Sequence, residues 1–392
     1  MKLYNVMIIG ATGLVGKTLV QTLSKRNFPI KDLTLFATIN SVGKNIMYKE
    51  KNISVLQLTK QNVIEKECDI AFLCADENVS KQYAPLLIKK GVIVIDNSSA
   101  FRLLSTVPLV VPEINANTIP NTIIDNINTI IENKNRIIEN KNRIIENKNS
   151  IIEDENRISE DENSIIEDEN RISEDENVEK YFKNINDLQK QGILISNPNC
   201  STIISALPLA PLNKKFKLKK VVLSTYQAVS GAGSDGIYDL VSAPPLKKFP
   251  FSIKNNALAQ IGEFNKNGFS TEEMKLINEL PKILEINNLS VIATAVRVPI
   301  INCHSVSIYA EFEDAINQKE INALLNNCKG VKYYNPSSLD YPMPITSNGK
   351  DYVSVGRLRI HNENSLSIWV VGDNLLKGAA LNAIQIAELF LK

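Results

Sequence analysis

The sequence predicts an α/β fold of two domains that are separated by a low-complexity insertion. At 392 residues the chain is long enough for two domains, each with its own core. In the first hundred residues, apolar runs of strand length alternate with helical spacing, which indicates a parallel, doubly wound sheet. Strand-like runs lie close together later in the chain, which indicates a second domain of α+β type with a mixed sheet.

The first predicted strand leads into a glycine-rich turn. Tyr4 to Ile9 is a continuous apolar run, and the turn GATGLVG follows at 10–16, before apolar residues at helical spacing. Small residues let backbone N–H groups approach a pyrophosphate at a helix N-terminus. The order strand, glycine turn, helix therefore predicts a Rossmann-like dinucleotide site, with a plain strand–helix turn as the alternative.

The second strand, Leu33 to Ala37, ends where a Rossmann fold contacts the adenosine ribose. No Asp or Glu follows it directly, which argues against a strict preference for NAD. Polar residues that could hold a 2′-phosphate instead are Thr38, Asn40, Ser41 and Lys44. No arginine lies among them, so the pattern for NADP is also incomplete.

Two more buried strands, Asp69 to Cys74 and Val92 to Asp96, flank a helical segment. Polar residues and Arg102 follow the second of them. Because ligands bind at the carboxyl ends of parallel strands, Arg102 is a candidate anion ligand. A solvated loop arginine is the alternative.

The composition then changes abruptly. Residues 130–178 are seven tandem heptads, beginning IIENKNR and ending ISEDENV, with net positive charge in the first two and net negative charge in the last four. Their apolar positions are adjacent, which does not suit a coiled coil. We interpret residues 121–190 as a low-complexity insertion without a catalytic role, either disordered or marginally helical. A partner-binding arm is the alternative.

The stretch ISNPNCSTII at 195–204 contains the strongest candidate for a nucleophile. A strand ends near Ile195, a polar turn follows, and an apolar helix is predicted to begin near Ser201. Unpaired N–H groups and the helix dipole would favour the thiolate of Cys200. Asn199 could donate to a developing oxyanion. A buried structural cysteine is the alternative.

Composition excludes several other classes of function. The net charge is +1, so no bulk attraction to nucleic acid or membrane is expected. The five cysteines are unevenly spaced and form no CxxC pair, which suggests neither a disulfide framework nor a zinc site. No apolar run reaches about 18 residues, and the N-terminus lacks the features of a signal peptide. We expect a soluble, cytoplasmic protein.

The second domain supplies further candidates. Gln227 ends a strand that begins near Val221, and a flexible glycine loop follows it. His304 lies between two strand-like runs, 290–299 and 305–310, and is the better candidate for a general acid or base; His361 lies in a polar loop. Cys303 is an alternative nucleophile. Because neighbouring residues on a strand face opposite sides, Cys303 and His304 cannot both face one site if the strand includes them both.

The tail from Trp369 to Ala380 has the pattern strand, polar turn, helix, and its apolar helix should pack on the N-terminal domain. We therefore assign residues 1–120 with 356–392 to the dinucleotide domain and residues 191–355 to the catalytic and dimerisation domain.

Several stretches together resemble aspartate-β-semialdehyde dehydrogenase. The similar stretches are GATGLVG (10–16), DNSSAFR (96–102), VPLVVPEIN (107–115), SNPNCSTI (196–203), STYQAVSGAG (224–233), EEMK (272–275), VRVP with the following histidine (296–304) and VVGDNLLKGAALNAIQIAE (370–388). They span nearly the whole chain outside the heptads.

The resemblance implies NADPH-dependent reduction of L-aspartyl 4-phosphate to L-aspartate 4-semialdehyde through a thioester on the cysteine, which divides one hard acyl reduction into two easier steps. This reaction belongs to the aspartate-derived pathway to lysine and diaminopimelate, threonine and methionine. The resemblance also implies a homodimer, or a dimer of dimers, formed through the second domain.

The resemblance also assigns roles to individual residues. Cys200 would be the nucleophile, His304 the acid/base, and Gln227 would orient the acyl-enzyme. Arg297 would pair with the substrate α-carboxylate and Glu273 with its ammonium. The phosphate would be bound by Arg102, Asn199 and Lys275. The dinucleotide would be lined by Gly10, Thr12, Gly13, Leu14 and Val15, with Thr38, Asn40 and Ser41 at the ribose and Ser230, Gly231 and Asn374 near the nicotinamide.

Two departures and two competing functions remain open. Many bacterial members have an arginine where this chain has Asn40, and the family has only a short connection in place of the insertion. One competing function is N-acetyl-γ-glutamyl-phosphate reductase, against which Gln227 and EEMK argue. The other is a non-catalytic dinucleotide-binding regulator.

Overall fold

The computed structural model describes residues 2–119, 192–242, 245–335 and 340–391. The predicted low-complexity insertion at 121–190 lies outside these residues. The described residues form two β-sheets, and helices pack against both. Among them, no helix combines the length and the apolar character needed to cross a bilayer.

The first sheet has seven strands in the order β3-β4-β2-β1-β5-β6-β7. Its strands and the helices between them are β1 (Tyr4–Ile9), α1 (Leu14–Lys25), β2 (Ile30–Ala37), β3 (Asn45–Tyr48), β4 (Lys51–Gln57), α2 (Lys60–Glu65), β5 (Ile70–Leu73), α3 (Glu77–Lys89), β6 (Ile93–Asp96), α4 (Pro112–Asn115) and β7 (Ile193–Ser196). All pairs except β3–β4 are parallel, which confirms the doubly wound sheet. The central strands are continuous apolar runs because both faces of the sheet are covered.

Strand β7 lies at one edge of the first sheet and brings the candidate nucleophile to it. Its last residue, Ser196, pairs in register with Asp96 at the end of β6. The loop that carries Arg102 and the turn that carries Cys200 therefore leave the same edge of the sheet side by side. Parallel sheets bind their ligands at this edge.

The second sheet has six strands in the order β11-β12-β13-β10-β8-β9. Its strands and the helices of this part of the chain are α5 (Cys200–Phe216), β8 (Leu218–Gln227), α6 (Gly233–Val241), α7 (Thr271–Leu284), β9 (Ser290–Arg297), β10 (His304–Phe312), α8 (Gln318–Asn326), β11 (Val331–Tyr333), α9 (Pro344–Ser347), β12 (Val353–Asn362) and β13 (Ser365–Gly372), and the chain ends in α10 (Leu381–Glu388). The β8–β9 and β11–β12 pairs are parallel and the others antiparallel, as expected for a mixed sheet.

Helices α5 and α7 pack on one face of the second sheet and bury its apolar side chains in a single core. The last helix, α10, instead packs in the core of the first sheet through residues such as Ile384 and Phe390. This confirms that the tail returns to the N-terminal domain. The domain boundaries stay a prediction, and two observations bear on them. Strand β7 falls in the predicted second domain but lies in the first sheet, whereas β13 and most of β12 fall in the predicted first domain but lie in the second sheet.

The short hairpin of β3 and β4 was not predicted from the sequence. Its two strands are half-exposed, so they have neither the continuous apolar run nor the clear alternation that identified the others. The turn between them contains Lys49 with a positive φ of 52° in place of a glycine, so the usual hairpin signal is absent.

Candidate active site

A cavity of about 350 Å³ opens where the carboxyl edge of the first sheet meets the second sheet. Most of its lining residues come from segments that follow strands. They include Arg102, Asn199, Cys200, Gly231, Lys275 and Asn374. The first three follow strands of the first sheet, and the others belong to segments attached to the second. The cavity therefore requires both halves of the chain.

Cys200 is the first residue of α5, one position earlier than predicted. Asn199 caps this helix, since its Oδ1 accepts hydrogen bonds from the backbone N–H groups of Ser201 (2.9 Å) and Thr202 (3.2 Å). The Nδ2 of Asn199 donates to Oε1 of Glu272 at 2.8 Å. The oxygen of the Asn199 amide is therefore engaged within the protein, whereas Nδ2 uses one of its two hydrogens for Glu272. The other hydrogen leaves the oxyanion and phosphate roles of Asn199 as predictions.

The thiol of Cys200 is more protonated in the ligand-free protein than predicted. Burial, together with the Glu272 carboxylate, raises its pKa to about 11, against the lowering effects of Arg297, Lys275 and Arg102. The prediction of an acidic thiol was wrong for this state. The physical reason is that desolvation of the thiolate and the Glu272 carboxylate outweigh the stabilisation that the nearby cations provide.

The raised pKa predicts an unusual pH profile of alkylation. Because only the thiolate reacts, the rate at which iodoacetamide modifies Cys200 in ligand-free protein should climb about tenfold per pH unit between about pH 7 and 10. An ordinary thiol, with a pKa of about 8.5, levels off within this range. The rate is measured by mass spectrometry of the Cys200 peptide. A plateau below about pH 10 would contradict the raised pKa.

His304 is the first residue of β10 and is fully buried. Its Nδ1 accepts a hydrogen bond from the backbone N–H of Ala228 at 3.1 Å, so the neutral ring carries its hydrogen on Nε2. Burial, together with the nearby Arg297 guanidinium, lowers the pKa of His304 to about 3. Nε2 has no hydrogen-bond partner among the described residues. His304 therefore presents a neutral N–H donor.

The loop Val229–Ala232 covers His304 and Arg297. Arg297 donates from Nη1 to the carbonyl of Ala228 at 2.7 Å. A Cβ on Gly231 would lie 2.9 Å from Nη1 of Arg297 and 3.2 Å from Nε2 of His304. Gly231 thus lies directly against both groups and also lines the cavity, which places the histidine and the arginine just behind the cavity wall.

The structure corrects the glutamate that faces the site. Glu273 is used structurally: its Oε2 accepts from the Ser270 N–H (2.7 Å) in a capping box, and its Oε1 accepts from the Ala295 N–H (3.0 Å). The neighbouring Glu272 points into the site instead. Its carboxylate accepts from Asn199, from Nε2 of Gln227 at 3.2 Å and from Lys275 at 3.4 Å.

Arg102 lies in the same cavity, as predicted, and is not a solvated loop residue. Its Nη2 donates to the carbonyl of Asn97 at 2.7 Å, and its Nη1 pairs with Oε1 of Glu279 at 2.9 Å. Glu279 was not among the residues predicted from the sequence. Lys275 is partly exposed at the cavity and pairs with Glu272.

The glycine turn after β1 fits a dinucleotide. Gly10 has a φ of +86°, and a Cβ there would lie 2.5 Å from the carbonyl oxygen of Cys74, so only glycine is tolerated. Gly13 precedes α1 and provides no side-chain cap, so the N–H groups at the start of that helix, from Leu14 and Val15 onward, have no side-chain acceptor from the cap. Such a helix start suits a pyrophosphate.

Three polar groups converge beside this turn, where an adenosine ribose would lie. The Ser41 hydroxyl is 3.4 Å from the Thr12 hydroxyl and 3.4 Å from the Lys44 ammonium. Thr38 and Asn40 are exposed nearby.

Asn374, predicted to lie near the nicotinamide, connects the loop that carries Ser230 to the segment that carries Cys303. It donates from Nδ2 to the hydroxyl of Ser230 at 3.0 Å, and its Oδ1 accepts from the backbone N–H of Cys303 at 2.9 Å. Burial raises the pKa of Cys303 to about 12, and this residue does not line the cavity. The geometry therefore favours Cys200 over Cys303 as the nucleophile.

Two family models match the chain. Residues 5–122 match the model described as semialdehyde dehydrogenase, NAD binding domain, and residues 209–377 match semialdehyde dehydrogenase, dimerisation domain. Together they cover most of both sheets, and β7 lies between the two matched ranges.

Full-length relatives agree with these models. The aspartate-semialdehyde dehydrogenase of Aquifex aeolicus is 39% identical over 402 residues, covering 99% of this chain and 98% of the relative. The enzyme of that name from Bacillus subtilis is 35% identical, covering 99% and 97%. A crystal structure of aspartate semialdehyde dehydrogenase II from Vibrio cholerae, complexed with ASA, superposes with a TM-score of 0.77 at 29% identity, covering 99% of this chain and 98% of that one.

Proposed function

Because the chain belongs to the aspartate-semialdehyde dehydrogenase family, we propose that it interconverts L-aspartyl 4-phosphate and L-aspartate 4-semialdehyde with NADP(H) through a thioester on Cys200. One observation carries the proposal: the thiol of Cys200 lines the cavity, and a neutral histidine N–H, a buried guanidinium and a buried carboxylate lie directly behind the lining residues. This reaction would serve the aspartate-derived pathway to lysine and diaminopimelate, threonine and methionine.

The charged groups match a substrate that has three charged ends. Arg297 is buried with its Nε unpartnered among the described residues, and it would pair with the α-carboxylate. Glu272 would accept the ammonium. Arg102 and Lys275, which both line the cavity, would bind the phosphate. A substrate that carries a carboxylate, an ammonium and a phosphate would therefore pair with all of these charged side chains.

Substrate binding would also activate the nucleophile. The Glu272 carboxylate raises the pKa of Cys200, and an ammonium bound to that carboxylate would cancel its field. The thiolate then becomes accessible when the correct substrate is present. In the free protein the thiol stays protonated and protected from side reactions.

The reaction would proceed in two steps. The sulfur of Cys200 attacks the acyl carbon, the C–O bond to phosphate breaks, and inorganic phosphate leaves, which forms the thioester. When the reduced cofactor is bound, it would supply a hydride to the thioester carbon. The C–S bond then breaks, the aldehyde is released, and the thiolate is reprotonated. His304 would donate from Nε2 where negative charge develops on the substrate oxygen, while Gln227 orients the acyl group.

The residues of the glycine turn fit the dinucleotide, with Ser230, Gly231 and Asn374 near the nicotinamide. We infer a preference for NADP from the converging hydroxyls of Thr12 and Ser41 and the ammonium of Lys44, which would bind a 2′-phosphate. Asn40 would add a hydrogen bond in place of an arginine.

We also propose a homodimer. The second sheet carries helices on one face, and its other face exposes apolar side chains such as Tyr226 and Ile292. This open face belongs to the segment that matches the dimerisation model.

The test is the oxidation of L-aspartate 4-semialdehyde, followed as reduced cofactor, with and without phosphate. NADP and NAD are compared, and N-acetylglutamate semialdehyde serves as the competing substrate. We expect phosphate-dependent turnover of the aspartyl aldehyde alone, faster with NADP. Turnover of only the acetylglutamyl substrate would contradict the proposal, and so would folded protein without turnover of either.

A further inference from the structure

Helix α7 carries a charged stripe on the face that contacts the site. Glu272, Lys275, Glu279 and Lys282 follow one another at spacings of three or four residues, so they lie on one side of the helix. The first two belong to the proposed substrate pocket. The last two contact no part of the proposed substrate, and the reaction described above does not use them.

Glu279 joins the two loops that leave the first sheet. Its side chain is 2% exposed, its Oε1 accepts from Nη1 of Arg102 at 2.9 Å, and its Oε2 accepts from the backbone N–H of Asn199 at 2.7 Å. A single carboxylate thus connects the candidate phosphate ligand to the peptide just before Cys200. The distance between the guanidinium and the nucleophile turn is set by this bridge.

Lys282 holds the backbone of the same loop. Its Nζ donates to the carbonyl oxygens of Arg102 (2.8 Å), Leu104 (2.7 Å) and Val107 (2.9 Å). One helix therefore fixes Arg102 twice, through its side chain and through its main chain. Three carbonyls around one ammonium define the path of this loop more closely than a single surface pair would.

The guanidinium of Arg102 retains free donors in this arrangement. Nη1 is bonded to Glu279 and Nη2 to Asn97, whereas Nε is buried without a partner among the described residues. An arginine recognises an oxyanion through the plane of its N–H groups, so the orientation of that plane determines the fit.

We propose that Glu279 and Lys282 are positioning residues that orient Arg102 relative to Cys200 for recognition of the phosphate group. This inference rests on the proposed function, in which Arg102 binds the phosphate. The competing explanation is that the Arg102–Glu279 pair has a structural role only. Removing one partner of a buried ion pair strongly destabilises a protein, even where the intact pair adds little net stability.

The test measures how well inorganic phosphate protects Cys200 from iodoacetamide, and compares Glu279→Gln with the parent chain. A glutamine offers one acceptor oxygen, so either Arg102 or the Asn199 N–H would face an amide donor. We expect about tenfold more phosphate for half-protection, a matching rise in the KM for phosphate, and a KM for the aldehyde changed by less than about twofold. Asn278→Ala, an exposed neighbour on α7, is the control and should match the parent chain.

Lys282→Met is the second variant, in case Glu279→Gln does not fold, because it leaves the charges around the Arg102 guanidinium in place. It should raise the same two phosphate constants about threefold or more. Unchanged phosphate constants in a folded variant, with a lower kcat or a lower melting temperature only, would overturn the proposal. Phosphate that fails to protect the parent chain would also overturn it. Protection that is weaker in Glu279→Gln or Lys282→Met than in the parent chain, without turnover in any of them, would contradict the proposed reaction and support the positioning role.

Discussion

Replacing Cys200 with serine is expected to reduce turnover by about 10⁴-fold or more, with the fold and cofactor binding intact. A hydroxyl is a much weaker nucleophile than a thiol at neutral pH, and the nearby candidate base, the ring of His304, already carries its hydrogen on Nε2. Serine is close to cysteine in size, so it fits against Gly378, where a Cβ added to the glycine would lie 3.0 Å from the Cβ of Cys200. The measurements are kcat and the dissociation constant of the reduced cofactor by fluorescence.

Cys303→Ala is the matched control, because Cys303 precedes His304 directly and is the alternative nucleophile. Its side chain is buried away from the cavity, so this variant should keep turnover within about tenfold of the parent chain. The reverse result, an inactive Cys303→Ala and an active Cys200→Ser, would move the nucleophile to Cys303. Loss of cofactor binding in Cys200→Ser would show that the substitution had disturbed the site as a whole.

Glu272→Gln is expected to change two rates in opposite directions. The carboxylate of Glu272 raises the pKa of Cys200, so its removal should lower that pKa and speed alkylation by iodoacetamide at neutral pH. The same change removes the proposed partner of the substrate ammonium, which should reduce kcat/KM for the aspartyl aldehyde by about a hundredfold. Alkylation and turnover are measured on the same preparation.

Glu273→Gln provides the control from the adjacent position. Its carboxylate closes the capping box of α7 and accepts from Ala295, so the change should lower the free energy of unfolding by about 1–2 kcal/mol. It should leave the alkylation rate of Cys200 within about twofold. If Glu273→Gln lost substrate affinity and Glu272→Gln did not, the assignment made from the structure would be wrong.

The difference between these two glutamates shows what the sequence could predict. The stretch EEMK identified the correct part of the chain, the first turn of α7, but it did not show which of the two glutamates faces the site. A signal was present: Ser270 and Glu273 form the pattern S-x-x-E of a capping box, which assigns Glu273 to the helix start. The spacing of Glu272, Lys275, Glu279 and Lys282 would then have predicted the inward stripe, including Glu279.

Local pattern also predicted the first sheet well, because its buried parallel strands are continuous apolar runs bounded by polar turns. The pKa of Cys200 could not be predicted in this way. The helix start is local, but the field of Glu272 comes from α7, more than seventy residues further along the chain, and Gly378 packs against Cys200 from still further along. The pairing of β8 with β10, which joins Ala228 to His304, is equally non-local.

The covalent step at Cys200 is tested most directly by omitting phosphate. The protein is mixed with L-aspartate 4-semialdehyde and NADP, and the reduced cofactor is followed together with the intact mass of the chain. We predict a burst of about one reduced cofactor per chain, an aspartyl adduct on the Cys200 peptide, and its release when phosphate is added. Steady turnover without phosphate and without an adduct, or an adduct on another cysteine, would contradict the account.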